Sequence, residues 1–449
     1  MTSRFTAIPV GSGEAFLLQT THHGSERVIL VDSGNLKNGS PHPLVTKIEK
    51  AAPKLTRIDI AVCTHQDRDH SHGFPGFCED WCASGREIGE FWLPGRWAAA
   101  VPEILFDPVG GAERLWRGAV EVAKRLYNPE AKLEPSHQMT HEARMRELAN
   151  ELGINRQFAA ALLEGSQEDN PIHGQMYADQ LTQAEKTAHS LGVTTSQLDA
   201  LAISIEESDR SPSAELQYIL QNRFWWFQHE HLGKLYRDAI ETAKTVSEIV
   251  EAAVRWHIPI RWFDFGQFEK DGHAAGGDPG FLEPLSAVEI TKPPRGLSDT
   301  VFFFCLSLSR QNVESLVFHR PETPAEPSAV FLGDSRLSFG IDAPGAWFPM
   351  PKSVPSHAVL VTAPHHGSRV NDVAYQIVRS WLSPSGRDAL YVRNGGHHKQ
   401  KLDAFLKERH RCCAQCRQCS SGRRLSRTIK LSSRGPKWTW PAPRMPKCK

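Results

Sequence analysis

The sequence predicts an α/β fold, on three observations. Short β-rich runs alternate with helical segments on both sides of a long central stretch. That stretch, residues 98–255, is helical in periodicity and nearly free of strand signals. Most of the later strands end in a polar residue, and open α/β folds place their sites at the carboxyl ends of strands.

The elements follow in order. Residues 4–10 and 14–20 read as strands separated by Gly11-Ser12-Gly13, and 27–32 as a third ending in Asp32-Ser33-Gly34. His22-His23-Gly24-Ser25 between the second and third reads as a hairpin turn. A helix over 41–52 precedes a buried strand over 57–63. In the central stretch, 112–127, 141–152, 176–190, 196–208 and 232–255 carry apolar residues at helical spacing, and Ser196 is a candidate N-cap. Arg223-Phe-Trp-Trp-Phe-Gln228 is an aromatic knot, read as core or an internal contact. Strands resume at 259–263, 300–308, 315–318, 329–333, 358–362 and 389–393. The expected organisation is an N-terminal half over 1–97, a helical insertion over 98–255 that offers a surface for a protein partner, a C-terminal half over 256–400, and a basic tail over 401–449.

Composition bounds the class. With 449 residues, 40% hydrophobic and 23% charged, the chain reads as an ordinary globular protein. No apolar run reaches the ~18–20 residues of a membrane helix, and the opening residues show no apolar signal core. The expectation is a cytoplasmic protein without membrane contact, its cysteines reduced. The net charge of +1 conceals an asymmetry. Residues 401–449 hold 14 Lys and Arg against 2 Asp and Glu, leaving 38 against 49 for the rest. The basic end suits a polyanion such as nucleic acid, or is a solvated counterweight to an acidic body.

The chemistry concentrates in Thr64-His65-Gln66-Asp67-Arg68-Asp69-His70, directly after the 57–63 strand. His and Asp are poor core residues, and packing does not ask for four of them on one turn. Two ligand pairs, His65 with Asp67 and Asp69 with His70, suit two divalent ions rather than one. A carboxylate is the usual bridge between such ions, and Asp334, after the 329–333 strand, is placed for it. His365 or His366, after the 358–362 strand, would close the second site.

His-x-Asp-x-Asp-His after a strand, Gly333-Asp334 after a later one and Pro364-His365-His366-Gly367-Ser368 after another resemble the metallo-β-lactamase fold. The branch they are most similar to is the hydrolase domain of ComEC-type competence DNA-uptake channels. Val10-Gly-Ser-Gly-Glu14, Asp32-Ser-Gly34 and Gly395-Gly-His-His398 match further motifs of that branch in order. The resemblance covers about 1–95 and 255–400. It implies an αββα sandwich and a dinuclear hydrolase with a metal-bridging hydroxide as nucleophile. His65 and Asp67 would bind the first ion, Asp69 and His70 the second, and Asp334 both. One of His365 and His366 would be a ligand and the other would face substrate. Asp69, His366 and His398 would take part in catalysis, and Asp32 would orient the metal loop. Two departures stand out: Glu14 replaces an Asp, and no His lies in Glu289–Pro294, where many relatives supply a middle ligand to the first ion. His257, His273 and His319 are the candidate substitutes. Asp67 in place of a second His makes that site harder, so Zn2+ is expected first and Mn2+ second.

In the tail, His410, Cys412, Cys413, Cys416 and Cys419 have the density of a small structural zinc knuckle, with unligated thiols as the alternative. Residues 426–431 and 437–440 read as a closing hairpin, whose interleaved Arg and Trp side chains suit phosphate contact and base stacking, or an ordinary edge hairpin. The functional expectation is a metal-dependent phosphodiesterase or nuclease acting on nucleic acid or nucleotides. The alternatives are a non-nucleic phosphoester, lactone or amide hydrolase, and a binding or sensor component with a degenerate metal site.

Overall fold

The computed structural model describes residues 2–36, 41–127, 197, 230–292, 299, 302, 305–306, 314–339, 347–349, 351, 355–395, 401–416 and 425–439. The chain is α/β and divides into two compact units. One comprises Met1–Pro94, Trp256–Glu289 and Ser309–Lys449; the other comprises Gly95–Arg255 and Ile290–Leu308.

The first unit holds two mixed sheets. Its strands are β1 (Arg4–Ala7), β2 (Phe16–His22), β3 (Ser25–Val31), β4 (Arg57–Val62), β5 (Glu87–Pro94), β6 (Ile260–Asp264), β7 (Glu283–Pro284), β8 (Val288–Ile290), β9 (Phe318–Arg320), β10 (Ala329–Phe331), β11 (Val359–Thr362), β12 (Ala389–Arg393), β13 (His410–Cys413), β14 (Gln415–Cys416), β15 (Leu425–Ser426), β16 (Ile429–Arg434) and β17 (Lys437–Thr439). A nine-stranded sheet runs β17-β16-β1-β2-β3-β4-β5-β6-β8 and a six-stranded sheet runs β13-β12-β11-β10-β9-β7. β14 and β15 form a small ribbon. Pairing is antiparallel from β17 to β3 and parallel from β3 to β6. In the second sheet, β10 to β13 are parallel.

Strand alternation sets the core. Phe5, Phe16, Leu18, Ile29, Ile60 and Trp92 of the larger sheet share one buried cluster with Phe318, Phe331, Leu360 and Val392 of the smaller. The opposite face of the smaller sheet, through Val330, Val361 and Tyr391, joins a second cluster with helix Asp372–Leu382, which contributes Ala374, Ile377, Val378 and Trp381. Those four fall at i, i+3, i+4 and i+7, the spacing of one helical face. Helix Pro43–Ala51 starts at a proline, and His42 accepts from the Leu44 amide. The β2–β3 turn has His23 at φ 48° and Gly24 at φ 83°, the paired left-handed residues of a tight hairpin.

Two readings change. The run 300–308 is not a strand where described: Phe302, Cys305 and Leu306 are helical and buried. Their i, i+3, i+4 spacing suits a helix face, and a continuous apolar run does not separate the two states. Nor are the described residues of 401–449 an appended tail. β13 pairs with β12, and β16 lies between β17 and β1, with Leu431 opposite Phe5. β16 and β17 form a hairpin around Gly435.

In the second unit, Val101–Phe106, Pro108–Tyr127 and Glu230–Arg255 are helices. The segments 141–152 and 176–190 and the 223–228 knot lie outside the described residues, as does 196–208 apart from Gln197. No described helix is long and apolar enough to cross a membrane.

Candidate metal centre

β1, β3, β4, β10, β11 and β12 deliver their carboxyl ends to one place, because β1 runs with β3 and the others pair in parallel. Asp32 follows β3, the 64–70 turn follows β4, Asp334 follows β10, and His365 and His366 follow β11.

Asp32 organises the turn. It is fully buried at φ 59°, a conformation Asp tolerates better than most residues. Its Oδ1 accepts from the Thr64 amide at 2.8 Å and its Oδ2 from His70 Nδ1 at 2.7 Å. The Thr64 hydroxyl donates to the same carboxylate, so it accepts from His65 Nδ1 at 3.0 Å. Both imidazoles therefore carry their proton on Nδ1 and present Nε2 inward.

The Nε2 atoms converge on carboxylates. His65 Nε2 is 3.6 Å from Asp67 Oδ2 and 3.6 Å from Asp334 Oδ2. His70 Nε2 is 3.3 Å from Asp334 Oδ1. His365 Nε2 is 3.6 Å from Asp334 Oδ2, and His366 Nε2 is 3.0 Å from Asp69 Oδ2. His366 Nδ1 faces the Asn394 carbonyl at 3.1 Å and Glu14 Oε1 at 3.3 Å. The Asp334 amide donates to Ser315 Oγ, and Asn371 Nδ2 donates to the Asp334 carbonyl.

The donors fit divalent ions. Two N or O ligands about 2.1 Å from a tetrahedral ion lie about 3.4 Å apart, and five of the separations above run from 3.0 to 3.6 Å. His65 Nε2, His70 Nε2 and Asp334 Oδ1 are buried without a hydrogen-bond partner. Buried polar atoms left so are costly unless something occupies them. His65 with His70 and Asp334, and Asp69 with His70 and His366, each bring their ligand atoms within 4.8 Å of one another.

The electrostatics agree. Burial alone would push the histidines down and the carboxylates up. Against it, Asp334 and Asp67 raise His65 to about 9, and Asp334, Asp32 and Asp69 hold His70 and His366 well above their ordinary range. The histidines in turn hold Asp69 and Asp334 below the usual carboxylate range. Glu14 behaves differently: burial raises it to about 7 against the pull of His366.

Backbone geometry closes the pocket. His365 and His366 both adopt left-handed φ, 46° and 52°, a strain of roughly 1–2 kcal/mol per residue. Arg393 Nε donates to the His366 carbonyl, and the His365 amide donates to the Gly333 carbonyl at 3.0 Å. A Cβ on Gly13 would fall 1.7 Å from the Asp69 carbonyl oxygen. Gly11 is tied in both directions to the Gln415 side chain.

Thus His65, Asp67, Asp69, His70, Asp334, His365 and His366 are brought together over Asp32, and His398 lies outside the described residues. Of the substitutes for a middle histidine, His319 is buried against Ser328 Oγ at 3.0 Å, and His273 is exposed beside the Asp271 carbonyl. His257 belongs to none of the metal-binding groups found among the described residues.

In the tail, Cys412 packs into the cluster between the sheets and Cys413 into the cluster on the opposite face, so one ion cannot take both. Cys413 accepts from Arg393 Nη1, and His410 pairs with Asp388 at 3.3 Å. Cys419 and the Cys416 side chain lie outside the described residues.

Sequence reasoning missed the supports Thr64, Ser315, Asn371, Arg393 and Gln415. Asn394 was visible only as a polar residue closing a strand. Comparison with family models, with curated proteins and with solved structures returns no match.

Proposed function

We propose that the protein is a dinuclear metal-dependent hydrolase that cleaves phosphodiesters in nucleic acid or nucleotides. We also infer that its first unit is a metallo-β-lactamase-like αββα sandwich carrying the second unit as a helical insertion. One observation carries the chemical reading. The two oxygens of Asp334 face different histidines, Oδ1 toward His70 and Oδ2 toward His65 and His365, as a bridging carboxylate would.

His65, Asp67, Asp69, His70, Asp334 and one or both of the tandem histidines would hold the ions, which supply Lewis acidity and an activated water when bound. Asp32 and Thr64 fix the tautomers of His70 and His65. The Asn394 carbonyl and Glu14 do the same for His366. Zn2+ suits these nitrogen and oxygen donors, and the three aspartates among them also suit Mn2+.

A polyanionic substrate is supported by the outer face of β16 and β17. Lys430, Arg434 and Lys437 are exposed there, with Arg4 of β1 opposite Ser432. Trp438 does not serve as a stacking platform, since its Nε1 donates to the Ser328 carbonyl and its ring packs on the core.

The test is a metal-supplemented hydrolysis screen over single- and double-stranded DNA, RNA, cyclic nucleotides and bis-p-nitrophenyl phosphate. Hydrolysis that disappears in Asp334→Ala is expected. Protein that takes up well under two equivalents of Zn2+ or Mn2+ and hydrolyses none of these would overturn the reading.

A further inference from the structure

We propose that the tandem histidines are divided between the two ions. His365 completes the first site with His65, Asp67 and Asp334, and His366 completes the second with Asp69, His70 and Asp334. The assignment rests on the dinuclear reading and specifies what replaces a middle histidine.

The rings separate toward different carboxylate atoms. His366 lies beside His70, with ring centroids 5.1 Å apart and planes inclined at 35°, and directs Nε2 to Asp69. His365 directs Nε2 to Asp334 Oδ2, the oxygen that also faces His65, while His70 takes Oδ1. The two rings are 5.9 Å apart and inclined at 61°. Consecutive side chains on a strand point to opposite faces; the successive left-handed residues instead bring both imidazoles to the centre.

The ligand count supports the division. His65, Asp67 and Asp334 alone would give the first site three protein groups, where Asp69, His70, His366 and Asp334 give the second four. His365 supplies the fourth group at 3.6 Å from Asp334, equal to the His65–Asp67 and His65–Asp334 separations. Neither Asp67 nor His365 belongs to the groups of described residues whose ligand atoms all lie within 4.8 Å of one another. Closing the first site therefore requires the Asp67 carboxylate and the His365 ring to swing inward. Their side chains are 24% and 29% exposed, against 5% for His366, which gives them room to do so.

Metal stoichiometry tests this without reference to turnover. Full-length protein is loaded with Mn2+, desalted and analysed for metal, with the spin-coupled electron paramagnetic resonance signal as second readout. Wild type should hold two equivalents. His365→Ala and His366→Ala should each hold one and lose the coupled signal. His65→Ala combined with His365→Ala should still hold one, because both remove the same ion. His365→Ala combined with His366→Ala should hold none. Thermal unfolding in chelator checks each fold, and His365→Gln substitutes if the alanine variant does not fold. Two equivalents at wild-type affinity in the His365 variant, or none in the His65/His365 pair, would overturn the division. Fewer than two equivalents in wild type would instead overturn the dinuclear reading.

Discussion

Asp32→Asn is the most informative single change, because it replaces one atom in a fully buried carboxylate without altering its size. Asn tolerates the left-handed backbone at this position. Its one carbonyl oxygen must choose between the Thr64 amide and His70 Nδ1, which Asp32 now satisfies at 2.8 and 2.7 Å. Turning the amide NH2 toward the Thr64 N–H sets donor against donor and leaves a buried amide unpaired, at about 1–3 kcal/mol. The oxygen therefore stays with Thr64, and the NH2 faces His70. His70 must then accept at Nδ1 and carry its proton on Nε2, where Asp334 Oδ1 waits at 3.3 Å. An ion has to reverse that tautomer. Losing a charged hydrogen bond costs about 1.5–3 kcal/mol, which is about a ten- to hundredfold loss of affinity. Competition against a chromogenic chelator measures it, with thermal unfolding in chelator as the control for folding. A variant that folds like wild type and binds Zn2+ within threefold of it would refute the reasoning.

Other outcomes follow from the same geometry. Metal affinity should rise with pH, about tenfold per unit for each proton displaced. The sign follows from His65, which keeps its proton up to about 9 in the metal-free centre; chelator competition between pH 6 and 8 reads it. His319 is held down to about 4, chiefly by burial and then by Arg320. The unfolded chain takes up that proton first, so stability should fall as pH drops from about 6.5 toward 4, by about 2 kcal/mol at pH 5. His319→Gln should remove that part of the slope in urea unfolding. Gly13→Ala places a Cβ against the Asp69 carbonyl at φ 93° and should lower both melting temperature and metal stoichiometry. Deleting 425–449 removes β16, uncovers Phe5 and should give insoluble protein rather than a trimmed, folded chain.

The candidate site residues were legible in the sequence because they contradict packing. His65 to His70, Asp334 and His365-His366 each interrupt an apolar run with residues a core does not want. The β2–β3 turn was legible from His23-Gly24 for a local reason of the same kind. What escaped depends on pairing at a distance. β13 looked like a thiol cluster because Cys412 and Cys413 have chemistry of their own, and nothing nearby marks their parallel partner, Val392-Arg393. Gln415 reads as an ordinary polar residue until Gly11 is found in its amide. The Val301–Leu306 run is apolar throughout, so its period could not separate helix from strand.

The place of β16 has a consequence for synthesis. Arg4 pairs with Ser432 across 428 residues. At about 5–20 residues per second, a ribosome takes roughly 20–90 s to span that interval. Throughout it, β1 has β2 on one side and an open backbone edge on the other. That edge can pair with a strand of any neighbouring nascent chain, since an uncovered edge does not choose its partner. Expression yield should therefore depend on crowding among chains on one message and on chaperones that cover β1 until the last strands emerge.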